Sequence, residues 1–177
     1  GLLPHWAKDL AFGRRTYNAR SETVAEKPSF RDAWRQGRRC IIPAEAIYEP
    51  NWESGKAVRW SVARKDGRPM GIAGLWGWWR GPDGREWLSF TILTRDSIGR
   101  LGSIHDRMPL FLDPDHADAW LDPTTHNVRD VLDAAIDAAP ALAETLDNRV
   151  VSKAVGNVRN NSPELIEPVE IDVGQDR

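Results

Sequence analysis

Residues 58–94 constrain the fold more than any other stretch of this chain. Val58, Trp60 and Val62 alternate with polar neighbours, the period of a half-buried strand. Asp66-Gly67 follows, a dipeptide that favours a hairpin turn. Met70 to Trp79 is apolar and glycine-rich, a second strand whose glycines allow close approach or a bulge. Gly81-Pro82-Asp83-Gly84 is another turn, and Leu88, Phe90 and Ile92 then line one face of a third strand. Three successive antiparallel strands predict a meander, and such sheets curl toward barrels.

The flanking segments add short elements. Asp9 to Arg15 is polar and contains glycine, so it reads as a loop. Pro28 to Gly37 predicts a short helix with Phe30 and Trp34 on one face at i,i+4 and Arg31, Arg35 and Arg38 on the other. Arg39 to Pro43 and Ala46 to Pro50 predict two short strands with a bend between them. Further on, Pro109 to Leu112 predicts a strand, Asp115 to Trp120 and Asn127 to Ala138 helices, and Asn148 to Val155 a return to strand. The second helix carries Val128, Val131, Leu132, Ala135 and Ile136 on one stripe. Gly156 to Asn161 reads as a polar loop and Gln175 to Arg177 as a loose tail. With no repeat, low-complexity tract or long linker, 177 residues make one domain with enough chain for a core.

Composition narrows the class. An apolar fraction of 41% with 28% charged residues reads as globular and soluble. No apolar run is long enough to span a bilayer, and no signal peptide is expected. The single Cys40 excludes an internal disulfide framework and fits a reducing compartment, such as the cytoplasm; a monomer is expected. Net charge is −2, but residues 14–39 hold eight Lys/Arg against three acids. A local basic surface of that kind can bind a polyanion, although solvated helix and loop faces look the same in sequence. Nine Trp either fill the core or offer flat faces to bases or sugars.

The chemistry centres on Ser103-Ile104-His105-Asp106-Arg107-Met108-Pro109. Pro109 disfavours α geometry at Met108, so the run is extended or turning. An imidazole that can give and take a proton stands next to a guanidinium that can grip phosphate. Taken alone, this is also what a loop histidine beside a surface ion pair looks like. Asn18, Arg20 and Glu22 put an amide, a guanidinium and a carboxylate in one short segment, where an amide can orient a substrate or hold a turn. Glu49 ends an apolar run between Tyr48 and Pro50. Partial burial there would raise its pKa and suit acid–base work, whereas a strand-end position would point it at water. Cys40 among isoleucines reads as a small buried hydrophobe, with Arg38 and Arg39 as the opposing influence that would activate a thiol. Nucleotide-cradle, serine-hydrolase and zinc signatures are missing, and no cofactor or metal site is expected.

Several blocks then line up in order: Asn18-Ala19-Arg20-x-Glu22-Thr23, Pro28-Ser29-Phe30, Arg39 to Ala44, Tyr48-Glu49, Ala73 to Trp76, Ser89 to Thr94, Ile104 to Pro109, and Val151-Ser152-x-x-Val155-Gly156-Asn157. Together they resemble the SOS-response-associated peptidase (SRAP) family, which protects abasic sites in single-stranded DNA. The resemblance implies an α+β fold around a curled, antiparallel, barrel-like sheet with a few flanking helices and a positive groove for single-stranded DNA. In that family an N-terminal Cys, exposed by removal of Met, forms an imine with the abasic aldehyde, and its thiol closes a thiazolidine. The implied roles are Asn18 as the amide that orients the sugar, Glu49 as the proton carrier, His105 as the acid that opens the deoxyribose ring, and Arg20 and Arg107 as phosphate grips.

The chain departs from the family pattern at its start. It opens on Gly1-Leu2-Leu3-Pro4-His5-Trp6, which matches a block internal to the family, so residues 1–177 are expected to be one SRAP-like domain lacking the Met-Cys-Gly-Arg segment. Cys40 matches an internal family cysteine and inherits no role. The chain as it stands is therefore expected to form no stable crosslink with abasic DNA. The expected location is the cytoplasm, at the nucleoid in a bacterium. The alternatives are a non-catalytic single-strand-binding remnant, a peptidase acting on its own N-terminus, and a metal-dependent phosphohydrolase.

Overall fold

The computed structural model describes residues 1–170 apart from 53, 54, 56 and 126. The expected loose tail at 175–177 lies outside the described residues, as does His126. Among the described residues nine strands form two sheets. They are β1 (Asn18–Arg20), β2 (Arg39–Ala44), β3 (Ala46–Asn51), β4 (Val58–Arg64), β5 (Met70–Arg80), β6 (Glu86–Asp96), β7 (Arg107–Pro109), β8 (Phe111–Leu112) and β9 (Leu146–Val151). Three helices accompany them: α1 (Arg31–Arg35), α2 (Pro114–Leu121) and α3 (Val128–Ala143). The larger sheet runs β1-β6-β5-β2, with β7 on β6 and β8 on β5, and the smaller runs β3-β4-β9. The expected α+β fold with a curled, mainly antiparallel sheet is the fold observed, with β1 on β6 as its parallel pair.

The expected three-stranded meander is not formed. β5 and β6 pair as a hairpin from Gly74↔Ile92 to Arg80↔Glu86, but β4 pairs with β3 and β9 in the other sheet. Both edges of β4 are thereby occupied, so Asp66-Gly67 turns a corner between sheets. Gly67 takes φ +72°, and the Asp66 carboxylate is gripped by Arg64 and Arg68. The apolar face of β4 is the expected one, with Val62 buried and Trp60 packed against the same core as Ile47 of β3, but Ser61 between them is buried too.

Two layers of core follow. One joins the larger sheet to the helices through Leu75, Leu93, Leu110, Trp120 and Leu132. The other fills the space between the sheets with Val62, Ile72, Leu101, Ile104, Met108 and Phe111. Other boundaries also differ from expectation. Residues 10–15 form a 3-10 turn capped by the Asp9 carboxylate, which accepts from Phe12 N–H at 3.2 Å. The first helix shortens to a turn and a half. The expected strand at 109–112 divides because Met108 and Pro109 pair with β6, whereas Phe111 and Leu112 pair with β5. β9 ends at Val151, where Ser152 Oγ caps a 3-10 turn by accepting from Ala154 N–H at 3.2 Å. α3 runs past Pro140, although proline cannot donate to the carbonyl four residues earlier. That carbonyl, on Ile136, accepts from Arg95 Nη1 at 2.6 Å instead, so the helix continues without an orphaned acceptor.

Candidate active site and nucleic-acid interface

β1 is short, and its alternation places Asn18 and Arg20 on one exposed face with Ala19 fully buried between them. The reading of Asn18 as a turn-holding amide falls away, because Asn18 lies in a strand with no hydrogen-bond partner for its side chain among the described residues. Register carries a row across the sheet from Asn18 to Ile92, Gly74 and Cys40. Only glycine fits in that row, since a Cβ on Gly74 would meet Ile42 Cδ1 at 2.3 Å and the Thr91 carbonyl oxygen at 2.8 Å. Beside the row stand the cross-strand partners Phe90 and Trp76, then Leu88 and Trp78, all partly open to solvent. Arg38 lies over the Trp76 ring at 5.5 Å.

Glu49 sits in β3 opposite Trp60. Its face of β3 is the one that carries Ile47 into the core between the sheets, so the carboxyl is half-buried rather than pointed at water. Burial pushes its pKa up, a nearby His105 pulls it down, and Asp106 adds to the rise. The fold therefore brings Glu49 and His105 into electrostatic contact although 56 positions separate them in the chain.

His105 follows a 3-10 turn, Gly99–Ser103, and leads into β7. Its Nδ1 accepts from Arg107 N–H at 3.0 Å and lies 3.0 Å from Asp106 Oδ1, which receives the Nδ1 proton when the ring is charged. Nδ1 is thus committed to its own loop. Nε2 has no partner among the described residues and is the atom left to exchange a proton with a ligand.

Arg107 differs from the exposed phosphate grip expected of it. Its side chain is only 15% exposed. It donates to Glu22 Oε1 and Oε2 at 2.9 and 3.0 Å, to Asp96 Oδ1 at 2.5 Å and to the Thr94 carbonyl at 2.8 Å. Hydrogen bonding to Arg107 holds the Glu22 carboxyl below the usual carboxylate range, and Glu22 in turn raises Arg107. The guanidinium clamps the β1–α1 connection to β6, whereas Arg20 is exposed. Arg107→Ala should therefore cost about 1–2 kcal/mol, because solvent screens the half-exposed Glu22 and the exposed Asp96. A carboxyl held low in the folded state stabilises the protein above its unfolded pKa and stops doing so as pH falls through the folded pKa. The Arg107→Ala deficit should thus shrink in acid, which urea denaturation at neutral and acidic pH measures.

Cys40 is settled by packing. Desolvation pushes its thiol up to about 11. The two arginines that would have activated it face elsewhere: Arg38 toward Trp76, and Arg39, 7% exposed, toward the carbonyls of Trp120 and Asp122 at 2.5 Å each. Arg39 consequently drops out of the basic surface read from residues 14–39, while Arg14, Arg15, Arg20, Arg31 and Arg35 remain exposed. Among the described residues no three His, Cys, Asp or Glu converge as a metal-binding group, and no helix is long and apolar enough to cross a membrane. Sequence reasoning passed over Asn51 and Trp60 beside Glu49, and Thr94 and Asp96 beside Arg107. Trp60, Thr94 and Asp96 are cross-strand neighbours, and Asn51 reaches across to the Ser103 carbonyl, pairings that strand periodicity does not specify.

The fold is thus a curled, mainly antiparallel α+β domain in which Glu49 of the smaller sheet lies in electrostatic contact with His105, on a loop leading into the larger one. The chain belongs to the SOS response associated peptidase (SRAP) family, whose model matches residues 1–158. It is 37% identical over 168 residues to the abasic site processing protein YoqW of Bacillus subtilis (strain 168), covering 94% of this chain and 73% of that one. It is 31% identical over 204 residues to the abasic site processing protein HMCES of Pongo abelii, and there the chain spans 56% of the relative's length. Among solved structures, one from Bacteroides thetaiotaomicron superposes with a TM-score of 0.82 at 25% identity, covering 96% of this chain and 75% of that one. One from Bordetella bronchiseptica gives 0.73 at 35% identity, covering 86% and 74%.

Proposed function

We propose that this protein acts in DNA damage by holding an abasic site in single-stranded DNA and supplying the acid–base groups for a covalent protein–DNA crosslink. The observation that carries the reading is the electrostatic contact between Glu49, whose pKa burial raises, and His105, whose Nε2 has no partner among the described residues; the exposed Asn18 amide is assigned its part by the family resemblance. The relatives' names, abasic site processing proteins, support an abasic site as the substrate.

In the proposed reaction Arg20 holds a phosphate flanking the abasic site and the Asn18 amide orients the sugar. The charged His105 ring, its Nδ1–H donated to Asp106, gives its Nε2 proton to the ring oxygen of the deoxyribose; the C1–O4 bond breaks, the C1 hydroxyl gives its proton to water, and an open aldehyde and a neutral imidazole remain. A primary amine adds to that aldehyde. Glu49, whose pKa burial raises, gives its proton to the carbinolamine hydroxyl, which leaves as water; the nitrogen lone pair forms the iminium, and its N–H proton passes back to the Glu49 carboxylate to leave the imine. A thiol on the amine-bearing residue then adds to the imine carbon and closes a five-membered ring. Cys40 cannot be that residue, because its nitrogen is an amide, and desolvation raises its thiol rather than activating it. The family resemblance assigns the step to a Cys at the chain terminus. A form of the protein with a Cys-Gly-Arg-led segment ahead of Gly1 should give a heat-stable band with an abasic oligonucleotide on denaturing electrophoresis, and residues 1–177 alone should give none. A covalent band from residues 1–177 that disappears in Cys40→Ser would assign the wrong nucleophile.

The second reading, a non-catalytic single-strand-binding module, is favoured by the high Cys40 pKa and the open aromatic face around Trp76 and Phe90. Both readings give the same binding prediction. Residues 1–177, acting as a monomer in the cytoplasm and at the nucleoid of a bacterium, should prefer single-stranded to duplex DNA. With two or three phosphates held, log affinity should fall against log salt with a slope of about −1.4 to −2. Fluorescence anisotropy checks this, and equal affinity for duplex or a flat salt response would refute it.

A further inference from the structure

We infer that Asn51 is a positioning residue for the Glu49–His105 pair, its side-chain amide clasping the loop that carries His105 to the strand that carries Glu49. The inference rests on the proposed acid–base role of those two residues. Glu49 belongs to the smaller sheet, whereas His105 leads into β7 of the larger one, and no named strand pairs across the two among the described residues. No backbone ladder therefore fixes the distance between carboxyl and imidazole. The apolar core between the sheets holds them together, with Ile47 and Ile104 in one cluster, but burial is non-directional and tolerates sliding.

Asn51 Nδ2 donates to the Ser103 carbonyl at 2.6 Å, a directional bond across that seam. Both of its ends are tied closely to the pair. In β3, Asn51 stands two residues after Glu49, so strand alternation sends both side chains to the same face, about 7 Å apart along the strand. In the loop, Ser103 stands two residues before His105 within a tight turn. The Ile104 and His105 N–H groups both donate to the Leu101 carbonyl there, at 3.0 and 3.1 Å, so Ser103 and His105 move as one piece. The far side of the loop is held to the larger sheet, where Ser97 N–H donates to the Asp106 carbonyl at 2.9 Å. His105 is thus suspended between an anchor on the larger sheet and the Asn51 anchor on the smaller one. The electrostatic contact of Glu49 with both His105 and Asp106 agrees with that placement.

The test is a double-mutant cycle read on the Glu49 carboxyl by 13C NMR titration of residues 1–177. His105→Gln should raise the Glu49 midpoint, because it removes a positive charge that favours the carboxylate. In an Asn51→Leu background, which keeps the bulk but removes the donor, that increment should be at least halved. Asn51→Gln, which keeps an amide donor, should retain most of it. An increment undiminished in Asn51→Leu, or lost equally in Asn51→Gln, overturns the proposal. In the Cys-led form, Asn51→Leu should also slow crosslinking about 10-fold with unchanged affinity for intact single-stranded DNA, as expected for a misplaced proton donor. If Glu49→Gln and His105→Gln leave crosslinking unchanged, the acid–base reading fails, while the NMR cycle still decides whether Asn51 sets the geometry.

Discussion

Glu49→Gln is expected to slow crosslinking of the Cys-led protein to abasic single-stranded DNA by about 10²- to 10⁴-fold, the range for losing one general acid–base group. Gln keeps the shape and hydrogen-bonding capacity of the side chain but cannot give up a proton to the departing hydroxyl. Binding of intact single-stranded DNA should not change, because Glu49 is assigned no phosphate or base. The parent reaction should weaken as pH rises through the raised Glu49 pKa, and the variant should lose that dependence. Stability should move the other way. A carboxyl whose pKa is raised by folding favours the folded state most below its unfolded pKa, and this contribution is lost as pH rises through the folded value. Gln stays neutral throughout, so Glu49→Gln should melt higher than the parent at neutral pH and equal it in acid. Crosslinking time courses and thermal melts across pH measure both effects. A full-speed variant, or one less stable at neutral pH, would refute this account of Glu49.

Trp120→Ala is expected to destabilise the fold by about 3–5 kcal/mol, enough to unfold many domains of this size at physiological temperature. Trp120 is 0% exposed and tilts against Trp34 with ring centroids 6.4 Å apart. Its Nε1–H donates to the Cys40 carbonyl at 3.0 Å on the otherwise open edge of β2. Its own carbonyl and that of Asp122 hold the Arg39 guanidinium, which also lies over the indole at 5.8 Å. Truncation would open a cavity, orphan the Cys40 carbonyl and loosen the seat of a buried cation at once. Trp120→Phe, which keeps most of the volume but not the N–H, should cost less. Denaturant midpoints for the two variants separate packing from the hydrogen bond, and equal losses would show that the bond dominates.

Much of the secondary structure was legible because it depends on local period. The alternation of Val58, Trp60 and Val62, the stripe from Val128 to Ile136, and the turns at Gly67 and Gly84 each reflect short-range geometry, and each is present. Partner choice was not legible. An Asp-Gly turn between two apolar strands has the same local signal whether it closes a hairpin or turns a corner between sheets. β3 and β9 decided the matter by occupying both edges of β4. The run of α3 through Pro140 was illegible for a similar reason, because the group that takes up the freed Ile136 carbonyl is Arg95, 41 residues away in the chain.

The same division holds at the site. The sequence by itself determined which chemical groups are present: one imidazole in a Pro-flanked run, one carboxyl at the end of an apolar strand, one amide and one arginine two residues apart in a short polar segment, and a single internal thiol. Those are properties of residue type and neighbouring residues, and so was the resemblance that named the family. Only the tertiary structure decided what each group's surroundings make of it. It brought Glu49 under Trp60 and beside His105, where burial raises the carboxyl. It turned Arg38 and Arg39 away from Cys40, so the thiol is raised rather than activated. It also enclosed Arg107 between Glu22, Asp96 and Thr94, leaving Arg20 as the exposed cation. Desolvation and charge contact act over a few ångströms of space. Chain separation does not encode those distances until the two sheets close on one another.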